Sequence, residues 1–281
     1  MDCDFEPDSK MQEKENRKNA IKAKESSYGD YLRFYPYNIP NIEDIFSFLN
    51  LANNLNVTNL ELFNCNLGPA DGIQLADGLK KNDTIIYLDL RNNTLGLGGC
   101  SAIADALTQN STLKYLNLDS NNFGPTEANI ICNALKINTT LAKITFSRNN
   151  FGDDGAVAFA DMLTVNKTLV NSSLSFNRIG LRGTEAIATA LTINTIIFEF
   201  NIGGNTASIH TGEIYWRVNQ NIQMFLDTFW SQNIHNMISL FSNNCHKAIM
   251  TVMLINNYLP EPIFGYLLDY IFSFLRNRNF C

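Results

Sequence analysis

The side chains that could act as nucleophiles, proton acceptors or metal ligands are few and scattered along this 281-residue chain. All three histidines lie after residue 205, at His210, His235 and His246. General base catalysis therefore has few candidates. The neighbours Cys245 and His246 lack a third group that could orient the imidazole and activate the thiol. The sequence contains neither a phosphate-binding glycine loop nor a dinucleotide-binding fingerprint. We predict that the chain is not an enzyme and needs no cofactor.

The six cysteines do not form a pattern typical of a metal site either. They are spread along the chain, at Cys3, Cys65, Cys100, Cys132, Cys245 and Cys281. No CxxC pair and no Cys/His cluster at metal-ligand spacing is present. Cys65, Cys100 and Cys132 replace small or semi-polar residues of the repeat described below. We therefore predict buried, reduced thiols that pack rather than react, which indicates a reducing compartment.

Charge and hydropathy limit the class of partner and the location. The net charge is −6, so the strongly basic surface of a nucleic-acid-binding protein is not expected. Residues 1–28 hold seven acidic and six basic side chains without an apolar core, which argues against a secretory signal. The longest apolar stretch, residues 263–275, is too short to span a bilayer and contains Asp269. We expect a monomer in the cytoplasm with no membrane span and no nucleic-acid partner.

The main feature of the sequence is an internal repeat of 28 residues. Each copy reads apolar-x-x-apolar-x-apolar-x-x-Asn or Cys. The clearest copy has Leu113, Leu116, Leu118 and Asn121. Six predicted strands start at Val57, Ile85, Leu113, Leu141, Leu169 and Ile197. In the fifth copy Ser172 stands where an aliphatic residue belongs, so we expect a local packing defect or a small shift there.

The second half of each copy keeps the same spacing. A glycine recurs at Gly68, Gly96, Gly124, Gly152 and Gly180. It indicates a turn conformation or a close approach that a Cβ would obstruct. Small and large apolar residues then alternate at helical spacing, as with Ala76 and Leu79. An asparagine ends each predicted helix, where a left-handed conformation is common, at Asn82, Asn110, Asn138, Asn166 and Asn194.

Each unit is therefore predicted to be a strand, a turn, a helix and a tight return, stacked on its neighbours to bury a common core. The Asn or Cys after the strand is expected to satisfy backbone groups left unpaired by the turn. A degenerate first unit begins at Gly29, with Leu32 and Phe34 on strand positions and an amphipathic helix over 42–55. This divides the chain into a charged segment (1–28), about seven repeats (29–205) and a helical C-terminal cap or small domain (206–281).

Residues 29–205 resemble the ribonuclease-inhibitor-like class of leucine-rich repeats. This class occurs in ribonuclease inhibitor, in the sensor ends of NLR immune receptors and in the GTPase activators of Ran. The resemblance implies an α/β horseshoe solenoid that grips a protein with its concave sheet, or with the strand-to-helix turns beside it. GTPase activation stays open as an alternative, although the acidic tail of the Ran activators is missing.

The residues between the ladder positions of each strand are predicted to face the concave side. In the first four strands they include aromatic residues beside charges, whereas later strands carry Ser, Thr and Gly. Aromatic and Arg side chains concentrate binding energy at interfaces, although Tyr also simply fits a sheet surface. The candidate partner-binding residues are Tyr35, Glu61, Phe63, Tyr87, Asp89, Arg91, Tyr115, Asn117, Asp119 and Lys143.

The C-terminal segment leaves two interpretations open. Apolar periodicity predicts helices near 213–229, 232–242, 244–256 and 261–276, which could cap the last repeat. Phe241, Cys245 and Ile249, followed by Leu259 and Pro260, also loosely resemble a SOCS box, and Leu259 and Pro260 followed by Ile263, Leu267 and Ile271 loosely resemble the core of an F-box. Either resemblance implies a ubiquitin-ligase substrate adaptor. Abundant Asn and Ile suggest an AT-rich genome, which favours the further hypothesis of a bacterial effector secreted into a host cell.

Overall fold

The computed structural model describes the backbone of residues 31–33 and the whole of residues 57–206 and 211–221. Within these residues, seven three-residue strands form one parallel sheet in chain order. The strands are β1 (Tyr31–Arg33), β2 (Asn59–Glu61), β3 (Tyr87–Asp89), β4 (Tyr115–Asn117), β5 (Lys143–Thr145), β6 (Asn171–Ser173) and β7 (Glu199–Asn201). Each residue pairs with the one 28 positions further along, from Leu32 with Leu60 to Ser173 with Asn201. The predicted N-terminal strand and the predicted register are confirmed.

From β2 onward, helices connect successive strands and pack side by side along the stack. They are α1 (Pro69–Leu79), α2 (Gly96–Gln109), α3 (Pro125–Ile137), α4 (Gly152–Val165) and α5 (Leu181–Ala190), followed by a helix α6 over residues 211–221. The alternation of short parallel strands and helices confirms the predicted α/β leucine-rich-repeat solenoid. The strands begin two residues later than predicted, because Val57 and its counterparts lie buried just ahead of the paired segment.

The core lies between the sheet and the helices and runs through all described repeats. The three apolar positions of each unit are almost fully buried, as are the helix leucines that face them. Ser172 keeps its register between Ile144 and Phe200, so the shift considered for the fifth unit does not occur. Its hydroxyl is buried without a hydrogen-bond partner among the described residues, which is the local packing defect expected from the sequence.

A row of asparagines joins successive strand-to-helix turns. Asn93 illustrates the geometry: its Oδ1 accepts the N–H groups of Cys65 and Leu67 in the previous repeat, both at 3.0 Å. Its Nδ2 donates to the carbonyl of Leu62 at 2.9 Å. The same pattern recurs at Asn149 and Asn205. These amides satisfy buried backbone groups, as predicted from the sequence.

A second row of asparagines lies where each helix returns to the next strand, and here the predicted reason is wrong. Asn110 has φ −73° and ψ 130°, an extended rather than a left-handed conformation. Its Oδ1 accepts the N–H groups of Thr112 and Leu113, at 3.0 and 2.8 Å. Its Nδ2 donates to the carbonyls of Leu79 and Asn82, at 2.8 and 3.0 Å. Asparagine is therefore needed for its buried amide, which both forms the return and ties it to the previous repeat.

The strand-to-helix turns alternate between two conformations, so the structural period is two repeats. After β2, β4 and β6, two residues have positive φ: Asn64 and Asn66, Ser120 and Asn122, Phe176 and Arg178. After β3 and β5, one such residue is followed by a glycine with φ +57°, Gly96 or Gly152. The remaining repeat glycines are extended and precede the helices, at Gly68, Gly124 and Gly180. The five glycines therefore do not share one backbone need.

Helix α6 packs on the last repeat as the earlier helices pack on theirs. Ile214 and Val218 are buried, in the positions of Ile187 and Leu191. Asn221 donates its amide N–H groups to the carbonyls of Asn194 and Ile197, at 3.1 and 2.9 Å. Because the spacing here is 27 rather than 28 residues, a fixed 28-residue shift does not detect this continuation.

Several sequence predictions lie outside the described residues. They concern the charged segment 1–28, the helix over 42–55, the helices beyond residue 221, the segments that resemble a SOCS box or an F-box, and the side chains of Cys3, Phe34, Tyr35, His210, His235, Cys245, His246 and Cys281.

Candidate functional site

Two aromatic side chains and a lysine form a row across neighbouring strands. Tyr87 on β3 and Tyr115 on β4 stack with ring centroids 4.3 Å apart and planes 7° from parallel. On β5, the Lys143 Nζ lies 5.2 Å from the Tyr115 ring centroid. The parallel register places these three residues side by side. The ammonium over the ring face gains a cation–π attraction of about 0.5–1 kcal/mol at a partly exposed site. The row is thus ordered before any partner arrives.

A second aromatic and cation pair stands at the strand ends next to this row. Phe63 follows β2 and its side chain is 43% exposed. The Arg91 guanidinium lies over its ring, with Cζ 4.8 Å from the centroid. Arg91 Nε also lies 2.9 Å from Asp89 Oδ2, so the carboxylate and the ring hold the guanidinium from two sides. Arg and aromatic side chains in such positions are those that concentrate energy at protein interfaces.

The middle row of the predicted surface is buried rather than open to solvent. Glu61, Asp89 and Asn117 are each less than a tenth exposed. Asp89 Oδ1 accepts the N–H of Arg91 at 3.0 Å, and Asn117 Oδ1 accepts the N–H of Asp119 at 2.9 Å. These two side chains therefore bend back to hold the turn after their own strand. They lie beneath the surface, so a partner that docks here would first contact Phe63, Arg91 and the tyrosine row.

Burial changes the protonation behaviour of this surface. It raises the pKa of Asp89 above the ordinary aspartate range, against the lowering effect of the Arg91 backbone N–H and guanidinium. Burial also raises the pKa of Asp119, whose carboxylate accepts the Ser147 N–H at 2.6 Å. It likewise raises the pKa of the Tyr87 and Tyr115 hydroxyls, which are therefore neutral over the physiological range. The surface thus presents neutral aromatic rings beside carboxylates that are costly to ionise.

The C-terminal part of the concave side has a different chemistry. Ser147, Ser173 and Ser175 form a hydroxyl network with oxygen–oxygen distances of 2.8, 3.0 and 3.1 Å. Their donors and acceptors bind one another, so they offer a partner little that is free. That the anchors lie on the earlier strands stays a prediction.

The remaining candidate residue, Tyr35, lies outside the described residues. The candidates predicted from the sequence do not include Arg148, Phe176 and Arg178, which stand on the turns at the edge of the sheet. In the sequence, arginine or phenylalanine stands at these turn positions, whereas other repeats have Asn, Ser or Thr there.

The described thiols show no sign of activation. Cys65, Cys100 and Cys132 are buried and unbridged, as predicted. Burial raises the pKa of Cys65 to about 11 and that of Cys100 to about 12. The Cys132 thiol, which is almost completely buried on α3, has its pKa raised further. Because the thiolate is the nucleophile, these cysteines are inert packing groups. Among the described residues, no group of three His, Cys, Asp or Glu side chains could hold a metal ion.

Comparisons with known proteins agree with the fold. Residues 81–104, 109–126 and 138–160 match the family model described as Leucine Rich repeat. The chain is similar to a structure described as leiomodin-1 actin-binding site 2, with 15% sequence identity, a TM-score of 0.50, and coverage of 70% of this chain and 99% of that one. It is also similar to the tropomodulin C-terminal domain of Caenorhabditis elegans, with 9% identity, a TM-score of 0.47, and coverage of 68% and 99%.

A comparison with curated protein sequences finds no match. In the part of the chain that the structure describes, no helix is long and apolar enough to cross a membrane. The family match and the leiomodin likeness show a leucine-rich-repeat fold. At this level of identity they do not assign a partner.

Proposed function

From this leucine-rich-repeat fold, we propose that the chain is a non-enzymatic binding module that holds a protein on the concave surface of its first strands. We call this the concave site: Tyr35, Glu61, Phe63, Tyr87, Asp89, Arg91, Tyr115, Asn117, Asp119 and Lys143. The observation that carries the proposal is the ordered set of aromatic and cationic side chains, in which Tyr87 stacks on Tyr115 and Arg91 lies over Phe63.

Preorganisation is what makes this set suited to binding. A partner that docks on flexible side chains loses about 0.5–1.5 kcal/mol for each one it immobilises. Here the tyrosines are already stacked, and Arg91 is already held by Asp89 and Phe63. Little side-chain freedom remains to be lost when a partner covers them. Rigid aromatic rings beside arginine are also the composition in which binding hot spots are enriched.

The finer parts of the proposal follow from the sequence. The 28-residue repeat supports the ribonuclease-inhibitor-like class, and the buried thiols support a reducing compartment. We therefore propose a monomer that acts in the cytoplasm, or in a host cell if the source is a bacterium that secretes it. The similar leiomodin-1 structure is an actin-binding site of that protein. Likeness in fold alone does not transfer that activity, so actin enters only as one defined protein in the test.

The test is capture of partners from eukaryotic cell lysate by the full chain, followed by a binding measurement with each purified candidate and with actin. The concave variant carries Tyr87→Ala, Arg91→Ala, Tyr115→Ala and Asp119→Ala. The matched control changes four exposed polar residues of the helices, with Ser101→Ala, Gln109→Ala, Asn129→Ala and Asn133→Ala. Thermal melts establish that both variants are folded.

The concave variant should lose at least about 100-fold in affinity, since a single hot-spot truncation costs about 2 kcal/mol or more. The control variant should bind as the wild type does. A purified partner that binds wild type, control and concave variant with equal affinity would show that the concave site is not the binding surface.

A further inference from the structure

A phenylalanine with an unfavourable backbone conformation stands exposed on the turn after β6. Phe176 has φ +56° and its side chain is 53% exposed. The same turn position is held by Asn64, Asn92 and Ser120 in earlier repeats. A left-handed conformation costs a residue with a Cβ about 1–2 kcal/mol, and Asn is among the few that adopt it readily. Phe176 thus carries a backbone cost, as Arg148 does at the same position of the preceding repeat, and remains about half exposed.

The neighbouring repeats hold the Phe176 ring in place. On one side Gly204, with φ +71°, leaves the room that the ring fills, since a Cβ there would come within 2.5 Å of the ring carbons. On the other side the Arg148 guanidinium covers the ring, with Cζ 5.0 Å from the centroid. The ring is therefore ordered, although it is exposed. Strained and ordered residues of this kind concentrate at sites of function.

A second arginine, Arg178, lies two residues after Phe176 on the same turn. Arg148 and Arg178 are exposed, and neither forms an ion pair within the described residues. By contrast, the nearby Arg182 pairs with Asp154. Leu181, at the start of α5, adds a side chain that is also exposed. On a chain of net charge −6, this edge is a local cationic and apolar patch.

We propose that this patch, which we call the turn site (Arg148, Phe176, Arg178 and Leu181), binds an acidic segment of a partner protein. Carboxylates of the segment would pair with the two arginines, and an apolar side chain would cover Phe176 and Leu181. Asp154 is already paired with Arg182, and Asp153 accepts the N–H of Gly180, so neither carboxylate pairs with Arg148 or Arg178. Two arginines nevertheless neutralise few phosphates. A nucleic acid, which needs several cationic contacts, is therefore disfavoured. The turn site shares no residue with the concave site and binds independently of it.

The experiment selects short random peptides, displayed on phage, on the immobilised full chain. Enriched peptides are labelled and measured by fluorescence anisotropy against the wild type and against R148Q/R178Q. Enriched peptides should combine several acidic residues with an apolar one. The double variant should weaken them about tenfold or more, with a loss that shrinks as salt is raised. Enrichment of peptides without net negative charge, or equal binding by wild type and R148Q/R178Q, would overturn the proposal.

The variant Phe176→Asn tests whether Phe176 is needed for peptide binding rather than for folding. Asn relieves the backbone cost, as in the equivalent repeats, so the melting temperature should be equal to that of the wild type or higher. Peptide affinity should nevertheless fall. K167Q, which removes an exposed positive charge where α4 returns to β6, away from the turn site, is the matched control and should bind normally. A lower melting temperature together with undiminished peptide binding would show that Phe176 serves the fold. The concave variant must retain peptide binding, since loss there would contradict a separate turn site.

Discussion

Asp89 illustrates how a single residue can serve both the fold and the surface. Its side chain is fully buried on β3, accepts the Arg91 N–H, and contacts the Arg91 guanidinium. In the next repeat Asn117 makes the same backbone hydrogen bond without a charge. The same backbone hydrogen bond therefore forms without a carboxylate. The charge instead pairs with Arg91, whose guanidinium lies over Phe63.

The sign of the pKa shift gives a test for Asp89. Burial raises its pKa in the fold above the unfolded value, so the folded state holds the proton more tightly. Ionisation above the folded pKa therefore lowers stability, and this cost disappears as pH falls through that pKa. We expect Asp89→Asn to have a free energy of unfolding equal to the wild type or higher at neutral pH. The difference should stay within about 1 kcal/mol, because the Arg91 ion pair is partly exposed.

Urea unfolding of Asp89→Asn and wild type at neutral pH and at about pH 4 would check this prediction. Any excess in the variant's free energy of unfolding over that of the wild type should shrink at the lower pH, where the wild-type carboxyl takes up its proton. The Asp89 charge is also one of the causes that raise the pKa of Asp119, so the difference between the two proteins includes the loss of that repulsion. A variant less stable by several kcal/mol at neutral pH would mean that the charge itself holds the turn.

At the scale of elements, apolar spacing predicted the larger part of the fold. The period placed Leu116 and Leu118 in the core and paired Tyr31 with Asn59. These predictions succeed because burial of an apolar face leaves one consistent register. The alternating turns were not predicted, since apolar spacing does not record whether the second positive φ of a turn falls on a residue such as Asn122 or on a glycine such as Gly152.

The candidate site was predictable only in part, for the same reason. Spacing placed Tyr87 and Tyr115 on adjacent strands, where they stack. It could not show that Asp89 and Asn117 bend back to their own turns, because side chains of their length can also extend outward. The contact between the Phe176 ring and Arg148 could not be predicted from the sequence either, because the ring occupies space that Gly204 leaves.

The asparagines at which each helix returns to the next strand give a prediction at the scale of elements. Asn138 Oδ1 accepts the N–H groups of Thr140 and Leu141, at 3.0 and 2.7 Å, and its Nδ2 donates to the Leu107 carbonyl at 2.6 Å. Asn138→Ala should lower the free energy of unfolding by about 2–4 kcal/mol, because these buried groups lose their partner. Asn133→Ala, at an exposed position of the preceding helix α3, should stay within about 0.5 kcal/mol. Chemical unfolding would compare them, and equal stability of the two variants would contradict the role assigned to Asn138.

At the scale of the whole molecule, the stack places two different surfaces along one solenoid. The concave site lies on the strands of the earlier repeats, whereas the turn site lies on the edge of the later ones. Every described unit packs on its sequence neighbours, so contacts between neighbouring repeats keep the two surfaces apart. A protein partner could therefore occupy both surfaces through two segments. Each segment would then raise the effective concentration of the other.

The same nearest-neighbour packing implies that damage at one end stays near that end. Ile214 is fully buried where α6 covers the last repeat. Ile214→Asp places a charge in that contact and should detach α6, because an unpaired buried charge is strongly unfavourable. Amide hydrogen exchange should then lose protection in α5 and β7, over residues 181–201, while β3 and α2 keep theirs. Asn219→Asp, exposed on the same helix, should leave exchange unchanged everywhere. Equal loss of protection across all repeats of Ile214→Asp would show that the stack unfolds as one unit and that the two surfaces depend on a common stability.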